Sequence, residues 1–183
     1  MTAMFEISAH TGLAYPSISV SDPVTPQTMK LDGNERHDLT LKKCGSSPAE
    51  ARKLGCSFDG LSFAWQVPEC YDQTTVEEFL EADDWQYYED EAGTAHVPHH
   101  LLSEDEGPVH VSARFHAVHC LFLRRQMVRL LQRGAPMDTH LGTYKHTVHC
   151  HNVLTNATWM GGELHTRAPV IYPECWPLED WRA

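Results

Sequence analysis

The chain carries the same five-residue arrangement of histidine and cysteine twice, and both residue types bind transition metals. The first copy is His-Ala-Val-His-Cys at 116–120 and the second is His-Thr-Val-His-Cys at 146–150. Imidazole nitrogen suits copper, zinc, iron and nickel, so the ligand type alone leaves the metal open. One His-x-x-His could arise by chance among 13 histidines in 183 residues, but two copies with identical spacing predict a functional metal site. Its candidate catalytic and metal-binding residues are His116, His119, His146 and His149.

Both copies fall in segments that the sequence predicts to be helical. Residues 111–133 contain neither proline nor glycine, their apolar side chains recur every three or four positions, and Gly134 should end the helix. A proline turn at 135–141 precedes a second helix, expected from about Gly142 to Asn156. This short connection favours an antiparallel helical hairpin. Because residues three apart share a helix face, the hairpin can bring four imidazoles to one or two metal ions.

The six cysteines indicate two different uses of sulfur. Cys120 and Cys150 each follow the second histidine of a motif, about 100° around the helix. We group them with the cofactor-binding residues, and both thiolate ligation and a disulfide that braces the hairpin remain open. The other four cysteines lie beside turns or proline segments and should be structural. Two of them, Cys44 and Cys56, flank a capped helix predicted from Ser47 to about Leu54, and a disulfide between them could hold this helix in place. These four are Cys44, Cys56, Cys70 and Cys175.

The rest of the sequence indicates an α+β fold that is mainly helical. A stretch rich in Pro, Ser and Thr at 1–40 predicts an extended arm, and 41–183 should form a single small metal-binding domain around the central hairpin. Within this domain we expect a helix at about 75–83, a strand at 85–88, a long acidic loop at 89–108 and an irregular proline-rich tail. The loop also carries three candidate accessory ligands, His96, His99 and His100.

The charge and cysteine content of the chain limit its partners and its location. A formal net charge of −11 repels nucleic acid and anionic membrane surfaces. No apolar run is long enough to cross a bilayer and no signal peptide is recognisable, so membrane association is expected only if an anchor was removed from the sequence. The cysteines and a glycosylation pattern at Asn156-Ala-Thr158 slightly favour a secretory or endomembrane lumen over the cytoplasm. A solvated helix face is expected for Arg124, Arg125, Arg129 and Arg133.

The duplicated motif resembles the hallmark of the UstYa-like family of fungal secondary-metabolism proteins, which carry two His-x-x-His-Cys motifs in one small domain. The resemblance implies copper as the cofactor, with zinc or iron as alternatives, and dioxygen as the oxidant. It implies oxidative tailoring of a peptide or small secondary metabolite by C–H oxidation, cyclisation, desaturation, hydroxylation or halogenation. On this pattern the four motif histidines are metal ligands. Family members usually begin with a transmembrane helix and continue differently after the second motif, so the chain resembles a divergent branch.

Two other functions fit the same residues. A non-redox cyclase or pericyclase could keep this scaffold and use the histidines as general acids and bases, because imidazole titrates near neutral pH. A structural metal-binding interaction module would instead keep every ligand position closed. The sequence contains no nucleophile elbow, P-loop or dinucleotide fingerprint. The expected partner is therefore a small-molecule or peptide substrate, and the chain could also assemble as a homo-oligomer.

Overall fold

The two motif-bearing helices are the longest elements of the computed structural model, which describes residues 42–104, 107–155 and 164–182. Within these residues the fold is α+β and mainly helical, as predicted, with short antiparallel strand pairs. The arm expected at 1–40 and the glycosylation pattern at 156–158 lie outside the described residues. The helices are α1 (Pro48–Lys53), α2 (Gln73–Glu81), α3 (Ala113–Arg133) and α4 (Tyr144–Thr155), and the strands are β1 (Ser57–Asp59), β2 (Ala64–Gln66), β3 (Val109–Ser112), β4 (Met137–Asp138), β5 (Leu164–Ala168) and β6 (Cys175–Trp176).

Helix α3 begins two residues later than the sequence indicates, because a strand occupies the residues before it. Val109 and Val111 are buried and pair with β5, while the side chain between them is partly exposed, which is the alternation typical of a strand. The Ser112 hydroxyl then accepts a hydrogen bond from the Phe115 N–H at 3.0 Å and caps the helix. At the other end Gly134 has a φ of 63° and ends α3 in the left-handed conformation, as predicted.

Helix α4 packs against the first half of α3, and the antiparallel hairpin predicted from the sequence is confirmed. His116 of α3 lies opposite His149 of α4, and three residues further along α3 His119 lies opposite His146. The connection between the helices is more ordered than the predicted turn, because β4 within it pairs with β6 near the C-terminus. The C-terminal segment therefore holds this connection in place.

An aromatic core joins α2 to α3. The Phe115 ring packs edge-to-face on Phe79 at 5.2 Å and on Trp85 at 5.1 Å, measured between ring centroids. Trp85 also stacks on Phe79, and its indole N–H donates to the Phe79 carbonyl at 2.8 Å. The strand expected at 85–88 is therefore wrong: within it only Tyr88 forms isolated bridges. Trp85 packs through its side chain, and among the described residues backbone pairing in this segment is limited to Tyr87 and Tyr88.

Helix α2 starts two residues before its predicted start, next to the buried Asp72. The Asp72 carboxylate accepts hydrogen bonds from Thr75 Oγ1 at 2.6 Å and from Arg129 Nε at 2.8 Å, and Arg133 lies 3.4 Å from it. Burial raises the pKa of Asp72, but the hydrogen bonds from Arg129 and Thr75 outweigh this effect and the net pKa is lowered. The arginine face of α3 is therefore more than a solvated surface, because it fastens α3 to α2.

Asp72→Asn should lower the free energy of unfolding by about 2 to 3 kcal/mol, because it leaves Arg129 without its buried charge partner. Since the folded pKa of Asp72 is lowered, the carboxylate stabilises the fold fully above its unfolded pKa of about 3.9 and loses this effect as the pH falls through the folded pKa. The difference between the two proteins in urea unfolding should therefore shrink in acid. Asp84→Asn, at an exposed carboxylate beyond α2, is the control, and a difference that stays constant with pH would contradict the prediction.

Disulfides fasten the fold at two places outside the hairpin. A disulfide joins Cys44 to Cys56, which are 12 positions apart on either side of α1. A second disulfide joins Cys70 to Cys175 of β6, which are 105 positions apart. The prediction that these four cysteines are structural is confirmed. Disulfides are typical of proteins in oxidising compartments, which fits a secreted or lumenal protein. Among the described residues, no helix combines the length and apolar character needed to cross a membrane.

The proline-rich tail is more regular than expected. It forms β5, β6 and a 3-10 helix at Leu178–Arg182, whereas the sequence predicts an irregular tail. Between the two strands, the Ile171 N–H donates to the Phe63 carbonyl at 2.9 Å. Trp181 then packs so closely on Gly142 that a Cβ at this glycine would lie 2.5 Å from the indole ring. The tail therefore anchors the residues that lead into α4, which carries the second motif.

Candidate metal centre

The four motif histidines face one another across the interface between α3 and α4. Nε2 of His116 lies 2.8 Å from Nε2 of His149. The rings of His119 and His146 have centroids 6.1 Å apart, and the two histidines within each motif lie at 6.0 and 5.9 Å. The two motifs thus meet in space, although thirty residues separate them in the sequence.

A fifth histidine, which the sequence analysis did not single out, completes the cluster. His140 lies in the connection before α4, and its ring centroid is 4.0 Å from that of His146. One ring nitrogen from each of His119, His140 and His146 lies within 4.8 Å of the others. The cluster therefore combines the four motif histidines with one residue from outside both motifs.

The position of His140 is set by a tight turn around the buried Asp138. Oδ1 of Asp138 accepts hydrogen bonds from the backbone N–H of His140 at 2.8 Å and of Leu141 at 2.9 Å. Gln66 of β2 donates to the other carboxylate oxygen at 3.0 Å. The sequence signal for this turn is limited to Asp138 itself, a residue that favours turns by binding backbone N–H groups ahead of it. Helical periodicity does not extend to His140, which explains why it was missed.

Backbone groups fix the orientation of His119, the most deeply buried histidine of the cluster. Its Nδ1 donates a hydrogen bond to the Leu61 carbonyl at 2.6 Å, which leaves Nε2 with a free lone pair. The carbonyl belongs to a turn in which Asp59 accepts hydrogen bonds from the N–H groups of Leu61 and Ser62. Burial raises the pKa of Asp59 to about 6, against the lowering effect of these bonds. Such partners behind a histidine are the usual way in which proteins orient metal ligands.

A threonine of β5 orients His116 in a similar way. Thr166 Oγ1 lies 2.8 Å from Nδ1 of His116, on the opposite side of the ring from Nε2, which faces His149. The hydroxyl oxygen can accept a hydrogen bond from Nδ1–H, and in this tautomer the Nε2 lone pair is free. Strand β5 therefore supports His116, as the turn at Leu61 supports His119.

Thr166→Val should weaken metal binding about 10-fold, because it removes the hydrogen bond that sets the ring orientation and tautomer of His116. Competition with a chromophoric chelator would measure the change in affinity, and Thr166→Ser, which keeps the hydroxyl, should restore it. Thr147→Val is the matched control, because the Thr147 hydroxyl bonds to the Thr143 carbonyl and to no histidine. Equal affinities for the wild type and the Thr166→Val protein would contradict this role.

The surroundings of four histidines of the cluster lower the pKa of their imidazoles and so favour the neutral form. Burial lowers the pKa of His119 to about 3, and burial together with the neighbouring imidazoles lowers those of His116 and His146 to about 4. Burial also lowers the pKa of His140, and this outweighs the opposing effect of Asp138. Neutral imidazole is the form that binds metal. At neutral pH these nitrogen lone pairs are therefore available to an ion.

A cavity of about 250 Å³ adjoins the cluster, and all five histidines contribute to its lining. Its other walls are largely apolar and include Phe63, Phe115 and Ile171. Arg167 is exposed and contributes a positive charge to the lining. A mostly apolar cavity with a few polar groups is typical of a small-molecule site.

The loop histidines do not reach this cavity. His99 lies against Tyr87 with ring centroids 5.9 Å apart, and His96 lies against Tyr88 at 5.8 Å. His100 is exposed in a 3-10 turn at His99–Leu101. The structure therefore does not bring these three candidate accessory ligands together with the motif histidines.

Cys120 and Cys150 form a disulfide between α3 and α4, with Cα atoms 5.2 Å apart. The sequence left both thiolate ligation and a disulfide open for these cysteines, and the structure contains the disulfide. Because a metal ligand must be a thiolate, the grouping of these cysteines with the cofactor-binding residues is corrected to a bracing role. Sγ of Cys150 lies 3.9 Å from Nε2 of His146, so the brace is next to the cluster.

The chain is similar to two fungal proteins of Diaporthe leptostromiformis, named phomopsin biosynthesis cluster protein B and phomopsin biosynthesis cluster protein B′. Each is 30% identical over 161 residues, an alignment that covers 75% of this chain and 47% of the relative. The chain thus spans about half the length of the curated relatives it matches. No protein-family model and no solved structure matches it.

Proposed function

We propose that the chain is a UstYa-like, copper-dependent enzyme that oxidatively tailors a peptide or a small secondary metabolite. The observation that supports this most is the meeting of four motif histidines from two helices beside an apolar cavity. The similarity to two proteins named for a phomopsin biosynthesis cluster supports a role in secondary-metabolite biosynthesis. The disulfides fit action in an oxidising lumen.

The donor atoms of the cluster suit a transition metal. Magnesium and calcium prefer oxygen ligands, whereas imidazole nitrogen suits copper, zinc and iron. Because the motif cysteines form a disulfide, only the imidazole nitrogens of the motifs remain to bind the metal. Copper is assigned in preference to zinc because the proposed reaction transfers electrons and zinc has no redox chemistry. The ligands assigned here are His116, His119, His146 and His149.

Bound copper would supply a path for electrons from the substrate to dioxygen. The residues of the chain would bind and orient the substrate. Phe63, Phe115 and Ile171 form an apolar wall that excludes water and accepts an apolar group of the substrate. Arg167 is placed to bind a carboxylate beside this wall. The imidazoles are carried on packed helices, which keeps them in place while the substrate enters.

Among the candidate tailoring reactions, desaturation and oxidative ring closure are those that dioxygen can support without an added reductant or halide. The substrate loses two hydrogen atoms, as two electrons and two protons, and dioxygen accepts them to form hydrogen peroxide. Hydroxylation would place one oxygen atom in the product and reduce the other to water, which needs two further electrons from an added reductant. Halogenation needs a halide as well. A product that has lost two hydrogen atoms is therefore expected first when no reductant is added.

Metal analysis of untagged protein, followed by incubation of the copper-loaded protein with candidate peptides in air, tests the proposal. Bound copper and a product lighter by two hydrogen atoms are expected, together with equimolar hydrogen peroxide. Samples without dioxygen or with a strong chelator should form neither. A product of unchanged mass that forms under both treatments would replace the proposal with a non-redox cyclase. Protein that binds no transition metal would also overturn it.

A further inference from the structure

The five histidines of the cluster divide into two groups when their ring nitrogens are compared. His119, His140 and His146 form a triad whose nitrogens lie within 4.8 Å of one another. His116 and His149 form a pair with Nε2 atoms 2.8 Å apart. Each motif therefore contributes one histidine to each group. The rings within a motif are 5.9 to 6.0 Å apart, as expected for residues three apart on a helix.

Both groups have a spacing that one metal ion can bridge. Two imidazole nitrogens bound to a tetrahedral ion at about 2.0 Å lie about 3.3 Å from each other. The pair, at 2.8 Å, is slightly closer than this, and the triad, within 4.8 Å, is slightly wider. Small rotations of the side chains can close either difference. Each group is thus a candidate site in its own right.

The triad is the more enclosed of the two groups. His119 is only 9% exposed and is hydrogen-bonded to Leu61, and the backbone of His140 is fixed by Asp138. His149 of the pair is exposed. A three-histidine site lacks one ligand of a tetrahedral set, whereas a two-histidine site leaves two positions for other molecules. The pair is therefore the group that an external molecule can reach more easily.

We propose that the cluster is two unequal metal sites, one formed by His119, His140 and His146 and a more open one formed by His116 and His149. The proposal rests on the metalloenzyme function proposed above and makes it more specific. It assigns His140, which lies outside both motifs, as a metal ligand. It also places the approach of substrate and dioxygen at the open pair.

The two-site proposal can be tested by counting metal ions. Metal-free protein is reloaded with Co²⁺ or Cu²⁺, and the number of bound ions per chain is measured. Elemental analysis should find about two ions per chain in the wild type and about one in His149→Ala, whereas His140→Ala, which keeps two imidazoles of the triad, should lose the ion of the triad or hold it with a changed spectrum. The two variants should lose different components of the Co²⁺ visible spectrum and of the Cu²⁺ paramagnetic resonance spectrum. His151→Ala, at an exposed histidine of α4, is the matched control and should bind as the wild type does.

Loss of the fold is separable from loss of a ligand in this experiment. Asp138 binds the backbone N–H of His140, so His140→Ala keeps the turn, and His140→Gln offers a second variant of similar size. If wild-type protein binds one ion that His149→Ala loses and His140→Ala keeps, the two-site proposal fails while the metalloenzyme function stands. Two ions in His140→Ala with unchanged spectra would equally refute the role of His140. Binding of no ion by the wild type would overturn both proposals.

Discussion

His119→Ala and His149→Ala are each expected to lower activity by at least about 100-fold and to reduce the bound metal. Alanine offers no nitrogen, so each change removes one ligand. His119 also carries the hydrogen bond to Leu61 that fixes its ring, and His149 faces His116 at 2.8 Å. A centre with one imidazole fewer loses both affinity and the geometry that positions the oxidant. Turnover and elemental analysis of the same preparations measure the two effects.

His100→Ala is the control for this prediction and should be far milder. His100 is exposed in a 3-10 turn and does not line the cavity, so it can affect the approach of substrate at most. Circular dichroism of each variant separates lost chemistry from lost structure. Near-normal turnover and metal content in both motif variants, with an intact helical signal, would refute the metalloenzyme assignment.

Removing the Cys70–Cys175 disulfide with a double alanine variant should destabilise the protein by roughly 4 to 5 kcal/mol. The reason is the length of chain that the bond closes. A disulfide restricts the unfolded chain more strongly as the loop grows, and this one spans a sequence separation of 105 residues. It also joins the segment before α2 to β6, whose partner β4 lies in the connection that carries His140. Denaturant unfolding under non-reducing conditions measures the loss.

The Cys44–Cys56 disulfide provides the comparison, because its sequence separation is only 12. The corresponding double alanine variant should lose roughly 3 kcal/mol, less than the longer bridge. Non-reducing mass mapping must first show that each bridge is present in the wild type and absent in its variant. If the short bridge proves the more stabilising of the two, the loop-length explanation is wrong for this fold.

The helices were largely predictable because their signals are local. Ser47 caps α1 through the Glu50 N–H, and Gly134 ends α3 with a positive φ, as their residue types indicate. The spacing of apolar residues located the hairpin because its helices are long enough to show a period. Helix α3 starts two residues after its predicted start, because Val109 and Val111 alternate in a strand and the absence of Pro and Gly does not distinguish this strand from a helix.

The site was less predictable than the fold because the residues that orient its histidines lie outside the motifs. His140 depends on a turn held by Asp138 and Gln66, and His119 depends on the Leu61 carbonyl. The Gln66–Asp138 and His119–Leu61 contacts join residues 72 and 58 positions apart, and the spacing of apolar residues along a helix does not indicate such contacts. The disulfide between Cys120 and Cys150 was one of two alternatives, because a sequence does not reveal which side of a helix faces its partner.

The position of the Cys120–Cys150 disulfide bears on the order in which the protein matures. Each sulfur directly follows a motif histidine, and Cys150 Sγ lies 3.9 Å from the His146 ring. If metal arrived while these cysteines were still reduced, their thiolates would compete with the imidazoles for copper(I) or zinc. Oxidation before metal loading removes these competitors and sets the spacing of the two helices in advance. Recombinant protein made in a reducing cytoplasm is therefore expected to be wrongly metallated, and native metal content is best measured on protein that was oxidised first.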